Sequence, residues 1–163
     1  MSLGDLFPIF GIIAFFLLWI HSMCGVFEEW LRPRMNFDAF IHWTSLVILV
    51  SIILHPLLLL ILIKFDLQTL LSASPLPISL GLVGFLLLIT YDIGKALRHR
   101  AFFARHWNKI LIISTVGFIL TFFHSLVLGS HLQTGWQRKL WIFFGITAIL
   151  ATIYTYGIKR FLK

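Results

Sequence analysis

The chain has 163 residues, of which 60% are hydrophobic and 12% are charged, and its mean hydropathy is +0.98. Soluble domains average about 45–50% apolar and about 25% charged residues, so this composition excludes a water-soluble globule. The net charge of +7 would suggest nucleic-acid binding in a soluble protein, but here we interpret it as the basic side of a membrane protein whose partner is lipid and not nucleic acid.

Five apolar stretches follow one another along the chain: 6–26, 40–63, 77–91, 110–128 and 140–158. Each is near the length of about 20 residues that a helix needs to cross a hydrocarbon core, where a helix satisfies its own backbone hydrogen bonds. The sequence therefore predicts an all-α membrane protein, a five-transmembrane-helix bundle that forms a single transmembrane domain over residues 1–163. No internal repeat is apparent. The first stretch is not a secretory signal, because the residues before it include the acidic Asp5 and lack the Lys or Arg that such a signal carries.

The distribution of basic residues predicts the orientation of the bundle. Ten of the 13 Lys and Arg residues belong to the first loop, the third loop or the C-terminus, and the other three are Lys64, Arg138 and Lys139. Because Lys and Arg collect on the cytoplasmic side, we expect the N-terminus outside and the C-terminus in the cytoplasm. The chain should be a multi-pass protein of a bacterial or archaeal plasma membrane.

Histidines are the chemically informative residues of the apolar spans. His21, His42, His55 and His124 lie within these spans or at their edges. The single cysteine, Cys24, excludes an intramolecular disulfide and a CxxC site. Each histidine could simply bond to a neighbouring helix. Together they suggest a metal or haem site, because neutral imidazole binds iron without bringing charge into the bilayer. At about 1.5 Å per residue, His55 and His124 lie within roughly 5 Å of one level, and His42 lies about 20 Å below them.

Two spans also resemble a known family. The second reads IHWTSLVILVSIILHP, with its two histidines 13 residues apart, and the fourth reads HWNKILIISTVGFILTFFHSLVLGS, with H-x-x-x-x-G at its end. These segments are similar to the ferric reductase-like transmembrane domain of NADPH oxidases, ferric-chelate reductases and the membrane subunit of bacterial methionine-sulfoxide repair. In that family two parallel helices carry two histidines each, and the four rings bind two stacked b-type haems. The resemblance covers roughly residues 37–141 and the helix before them.

The resemblance implies that His55 and His124 bind the iron of one haem b. The ligand pattern departs from the family at Leu111, which stands 13 residues before His124 where the family has its fourth ligand. Three alternatives remain for the inner haem, at the level of His42. Its second ligand is His21, its second ligand is His106, or the inner haem is absent.

The spacing within the second span leaves the direction of His42 open. Thirteen residues of ideal helix leave two side chains about 140° apart. A distortion next to Pro56 could bring His42 and His55 to one face. Alternatively, His55 faces the fourth span while His42 faces the first, which favours His21 as the partner of His42.

The expected activity is transmembrane transfer of single electrons, an oxidoreductase function that needs a separate flavoprotein or a membrane quinol as donor. One alternative is a non-catalytic membrane subunit of the same architecture with incomplete haem ligation, and another is a quinone- or metal-handling membrane protein. We interpret the basic segment 95–109 as an anchor on anionic lipid, with a docking face for a reductase partner or a clamp on haem propionates as the alternative.

Overall fold

A computed structural model describes residues 3–159, except for the side chains of Leu3, Ala73 and His131. In this part of the chain all regular secondary structure is helical. Five helical segments there are long and apolar enough to cross a membrane. This confirms the predicted all-α, five-span architecture and makes the chain a multi-pass integral membrane protein. The helices are α1 (Leu3–Leu31), α2 (Phe37–Leu62), α3 (Leu67–Ala73), α4 (Pro75–Ala96), α5 (Ala101–Arg105), α6 (Trp107–Leu128) and α7 (Gly135–Thr152), and a π-helical segment, Ile153–Ile158, continues α7.

The third span is longer than the predicted range 77–91. It begins at Pro75, where a proline costs nothing because the first turn of a helix lacks acceptors for its N–H groups. It continues past the apolar run to Ala96, and the ammonium group of Lys95 lies 5.8 Å from the centre of the Tyr91 ring. Helical hydrogen bonding therefore persists into the polar turn, which hydropathy alone assigns to a loop.

The described part of the chain forms two compact units, one from residues 3–66 and 139–159 and the other from residues 67–138. In the first unit, α1 and α2 are joined by a turn in which Arg32 forms salt bridges with Glu28 at 2.9 Å and with Asp38 at 3.0 Å. These hydrogen bonds, first to Asp38 and then to Glu28, raise the pKa of Arg32 above its ordinary value. The side chain of Asn36 accepts a hydrogen bond from the N–H of Ala39 and caps α2.

Aromatic side chains attach α7 to α1 in the same unit. The rings of Phe15 and Trp141, both buried, stack with their centres 4.1 Å apart. The indole N–H of Trp19 donates to the hydroxyl of Thr147 at 2.9 Å, and its ring lies 4.5 Å from that of Phe144. Large rings thus bridge the space between these two helices.

In the second unit, α4 and α6 approach closely through glycines. A Cβ atom at Gly84 would lie 2.9 Å from the carbonyl oxygen of Gly117, and one at Gly117 would lie 2.8 Å from the carbonyl oxygen of Gly84. Small residues at such a contact are typical of membrane helices, because van der Waals packing drives their association. Near the start of α6, the guanidinium of Arg98 covers the Trp107 ring at 4.5 Å.

Candidate functional site

His55 projects from α2 onto α1 in the first unit. Its Nδ1 lies 2.7 Å from the carbonyl oxygen of Phe7, and because a carbonyl can only accept, Nδ1 carries the hydrogen and donates it. The half-buried ring lies against Gly11, where a Cβ would be 2.9 Å from Nδ1 and 3.0 Å from Cε1. The ring therefore occupies the space that a side chain at position 11 would take.

Helix geometry explains why a glycine lies at this point. The carbonyl of residue n in an α-helix points at the N–H of residue n+4, so the Phe7 oxygen lies beside the Cα of Gly11. A carbonyl oxygen has a second lone pair beyond the one used by the helix. The imidazole reaches that lone pair only because nothing projects from position 11.

His124 makes the same arrangement in the second unit. Its Nδ1 donates to the carbonyl oxygen of Pro77 at 2.8 Å, and its ring lies against Gly81, where a Cβ would be 2.6 Å from Cε1 and 3.0 Å from Cγ. The glycine is again four residues after the acceptor, as in α1. We call this arrangement of carbonyl, glycine and ring the histidine latch.

The latch belongs to a helix pair that occurs once in each unit. When α1 is aligned with α4 by adding 70 to each residue number, five positions are identical. Adding 69 to the residue numbers of α2 aligns His55 with His124 of α6. The aligned residues of α1 are Leu6, Gly11, Phe15, Leu17 and Leu18, and those of α4 are Leu76, Gly81, Phe85, Leu87 and Leu88.

The latch determines which ring nitrogen can bind a metal. A neutral imidazole with its hydrogen on Nδ1 carries its lone pair on Nε2. Histidine ligands in metalloproteins commonly donate the other ring N–H to a backbone carbonyl, which fixes the tautomer and makes the ligand nitrogen more basic. His55 and His124 therefore both have the hydrogen-bonding state of an Nε2 ligand.

His21 has the opposite arrangement on α1. Its Nε2 lies 2.6 Å from the hydroxyl oxygen of Thr44, whose own hydrogen is donated to the carbonyl of Phe40 at 2.7 Å. The hydroxyl oxygen consequently accepts from His21, which places the hydrogen of this ring on Nε2. To bind a metal through Nε2, His21 would have to give up Thr44.

The remaining predicted ligands lie in different surroundings. His42 is exposed on α2, and its ring meets that of Trp43 edge-on at 5.4 Å. His106, half-buried between α5 and α6, donates from Nδ1 to the carbonyl of Phe102 at 2.9 Å. Leu111 is half-buried on α6.

The structure corrects one alternative for the second span. In that alternative His55 faces the fourth span and His42 faces α1 with His21 as its partner, yet His55 makes the contact with α1, and Thr44 is the residue of α2 that bonds to His21. The reason is the helical rotation itself, since the buried face of α2 follows Ser45, Ile48, Ser51 and Ile52 toward His55 and leaves His42 outside it. Among the described residues, no group of three or more His, Cys, Asp or Glu side chains could hold a metal ion.

Comparisons of the chain with protein-family models, with curated proteins and with solved structures gave no match. The resemblance to the ferric reductase-like domain therefore depends on the histidine spacing in the sequence alone. The two latches are a feature that the spacing did not predict.

Proposed function

We propose that the chain is a ferric reductase-like membrane haem protein that carries single electrons across or within the membrane, and that His55 and His124 would hold the iron of one haem b. The observation that carries this proposal is the matching state of these two rings. Each donates from Nδ1 to a backbone carbonyl of another membrane helix, at 2.7 and 2.8 Å, and so directs its basic nitrogen away from that hydrogen bond.

The hydrogen-bonding state of each histidine, taken within its own unit, suits such a group. Two neutral imidazoles can hold a haem iron without an added charge in the bilayer, and His55 and His124 would be those imidazoles here. When bound, haem b supplies reversible one-electron chemistry at its iron. The chain itself would fix the two rings through the Phe7 and Pro77 carbonyls and exclude water through the apolar spans that hold both histidines.

We propose one haem for each chain rather than two. Leu111 occupies the position of the fourth ligand in the family pattern, and the hydrogen of His21 Nε2 is donated to Thr44. A second haem at the level of His42 would need His21 to exchange that hydrogen bond for iron, or would need His106 as the replacement. The stoichiometry of bound haem distinguishes one from two directly.

Electrons would enter from a separate cytoplasmic flavoprotein or from a membrane quinol and leave toward the outer face of the plasma membrane. The basic residues of the segment 95–109 favour contact with anionic lipid at the inner face. Phe102 in that segment is 65% exposed, a degree of exposure that suits an aromatic side chain at the lipid headgroups.

The test is haem content after expression with ample haem. We expect a reduced-minus-oxidised haem b spectrum with about one haem for each chain, lost on His124→Ala and on His55→Ala. His99→Ala is the matched control, because His99 is exposed beyond the end of α4. A wild-type protein without haem, or equal haem content in His124→Ala and His99→Ala, would refute the assignment.

Leu111 favours a second candidate, a non-catalytic subunit that keeps the architecture but does not conduct electrons across the whole membrane. Such a protein would bind haem without accepting electrons from a donor at the inner face. Reduction of the bound haem by quinol or by a reduced flavoprotein in proteoliposomes separates the two candidates.

A further inference from the structure

We infer that Gly11 and Gly81 are positioning residues that set the tautomers of His55 and His124 in the apoprotein, before any haem binds. The inference concerns the same histidines as the proposed function and gives that function a preformed pair of ligands. It rests on the two latches, each of which belongs to one unit and is complete within it.

The first step is that the glycines are required by space. At position 11 an added Cβ would lie 2.9 Å from Nδ1 of His55, and at position 81 it would lie 2.6 Å from Cε1 of His124. Ordinary van der Waals contact begins near 3.4 Å, so either ring would have to move by about half an ångström or more. Such a shift lengthens the hydrogen bond of His55 from 2.7 Å to about 3.2 Å, the upper end of the usual range, and that of His124 from 2.8 Å to about 3.6 Å, beyond it.

The second step is that the carbonyl determines which nitrogen carries the hydrogen. Either nitrogen of a neutral imidazole can carry it, and the choice follows the hydrogen bond that the ring makes. His21 shows the other outcome in the same chain, because a threonine hydroxyl accepts from its Nε2. Losing the latch would therefore leave His55 or His124 without the interaction that selects Nδ1–H.

The third step is the consequence for a ligand. A ring with its hydrogen on Nε2 must transfer or lose that hydrogen before Nε2 can bind iron. Loss of such a supporting hydrogen bond typically weakens metal affinity by about 10–100-fold. We expect Gly11→Ala and Gly81→Ala each to weaken haem binding by a factor in that range while leaving both histidines in place.

Gly94 provides a matched control for packing on α4. A Cβ at position 94 would lie 2.9 Å from Cγ2 and 3.0 Å from Cδ1 of Ile110, a contact as close as the one at position 11 but with no histidine in it. Gly94→Ala should disturb the packing of α4 on α6 and leave the tautomer of His124 unchanged. A loss of haem affinity in Gly81→Ala beyond that in Gly94→Ala is then due to the latch.

The experiment is nitrogen-15 NMR of histidine-labelled apoprotein in lipid nanodiscs, at a pH where the rings are neutral. We expect Nδ1–H tautomers for His55 and His124 and an Nε2–H tautomer for His21, with each signal assigned by its loss on substitution of that histidine by glutamine. Gly81→Ala should change the His124 signals alone, and Gly11→Ala those of His55 alone, with haem titration of the same samples giving the affinities.

Nε2–H tautomers for His55 and His124 in the wild-type apoprotein would overturn the inference, and this measurement needs no variant to fold. Unchanged tautomers in both alanine variants would also overturn it. If the wild-type tautomers are as expected but no haem binds, the proposed function fails and the latch stands. If haem binds to a protein whose apo rings are Nε2–H, the proposed function stands and the latch fails.

Discussion

Replacing the glycines where α4 meets α6 should destabilise the protein by an amount that the backbone distances determine. A Cβ at Gly84 would lie 2.9 Å from the Gly117 carbonyl oxygen and 2.8 Å from Cγ2 of Thr121, and one at Gly117 would lie 2.8 Å from the Gly84 oxygen. Since ordinary contact begins near 3.4 Å, the two helices must separate by about 0.5–0.6 Å. The backbone cannot rotate out of the way as a flexible side chain can.

The magnitude follows from two opposing terms. Overpacking of this kind typically costs about 1–3 kcal/mol, because a gap of 0.5–1 Å along an interface forfeits a quarter to a half of each van der Waals contact. Alanine gains about 0.5–1 kcal/mol over glycine inside a helix. The difference of these terms spans about 0–2.5 kcal/mol, and we expect Gly84→Ala and Gly117→Ala each to lower the free energy of unfolding by about 1 kcal/mol.

The double variant gives the sharper result. Once the helices have separated to admit one methyl group, the second meets less resistance, so the cost of Gly84→Ala with Gly117→Ala should be smaller than the sum of the single costs. Gly25→Ala is the control, because its Cβ would meet Thr155 at an ordinary 3.5 Å and should leave stability unchanged or slightly raised. Stability can be measured by steric trapping in bicelles. Equal effects of Gly84→Ala and Gly25→Ala would refute the reasoning, as would strict additivity in the double variant.

Three further predictions use the same measurement or a labelling assay. Trp19→Phe removes the hydrogen bond from α1 to Thr147 but keeps an aromatic ring packed against α7, so it should lower the free energy of unfolding by about 0.5–1 kcal/mol. An unchanged free energy of unfolding would mean that the hydrogen bond contributes nothing. Lys64→Gly should raise stability by up to about 1 kcal/mol, because Lys64 has a left-handed backbone with φ of 53°; a lower stability would contradict this. In a cysteine-free background, a membrane-impermeant maleimide should label Thr134→Cys on intact cells and Ala101→Cys only after permeabilisation, and the reverse pattern would invert the predicted orientation.

The sequence was sufficient to predict the membrane architecture because apolar runs of about 20 residues have few other uses. The sequence did not predict where helices continue into polar residues, nor did it predict the short helices. The predicted end of the third span at residue 91 precedes the observed end at Ala96, since Asp92 and Lys95 end the apolar run without ending the helix. The short helices α3 and α5 lie in segments without a long apolar run, so hydropathy gave no signal for them.

Part of the candidate site was also predictable. The rotation of about 140° over 13 residues predicts that His42 and His55 point in different directions, as they do, but the alternative drawn from it placed His42 instead of His55 against α1. The latch itself was not predictable, because it depends on which helix lies beside which. Its trace in the sequence is weak: Gly11 precedes His55 by 44 residues and Gly81 precedes His124 by 43, but glycine and leucine recur too often in membrane helices for this spacing to be noticed.

The latches also bear on the simpler explanation of the histidines, in which each ring only joins two helices. That explanation accounts for a hydrogen bond at His21, His55 and His124 alike. It does not say why two of the rings use a backbone carbonyl, with the glycine that this contact requires, since a hydroxyl on a facing helix satisfies His21 without one. Bringing an imidazole onto a backbone carbonyl costs helix propensity at two positions, about 0.5–1 kcal/mol each. This cost is understandable if the choice of nitrogen matters, because a carbonyl, unlike a hydroxyl, can only accept and so leaves the lone pair on Nε2.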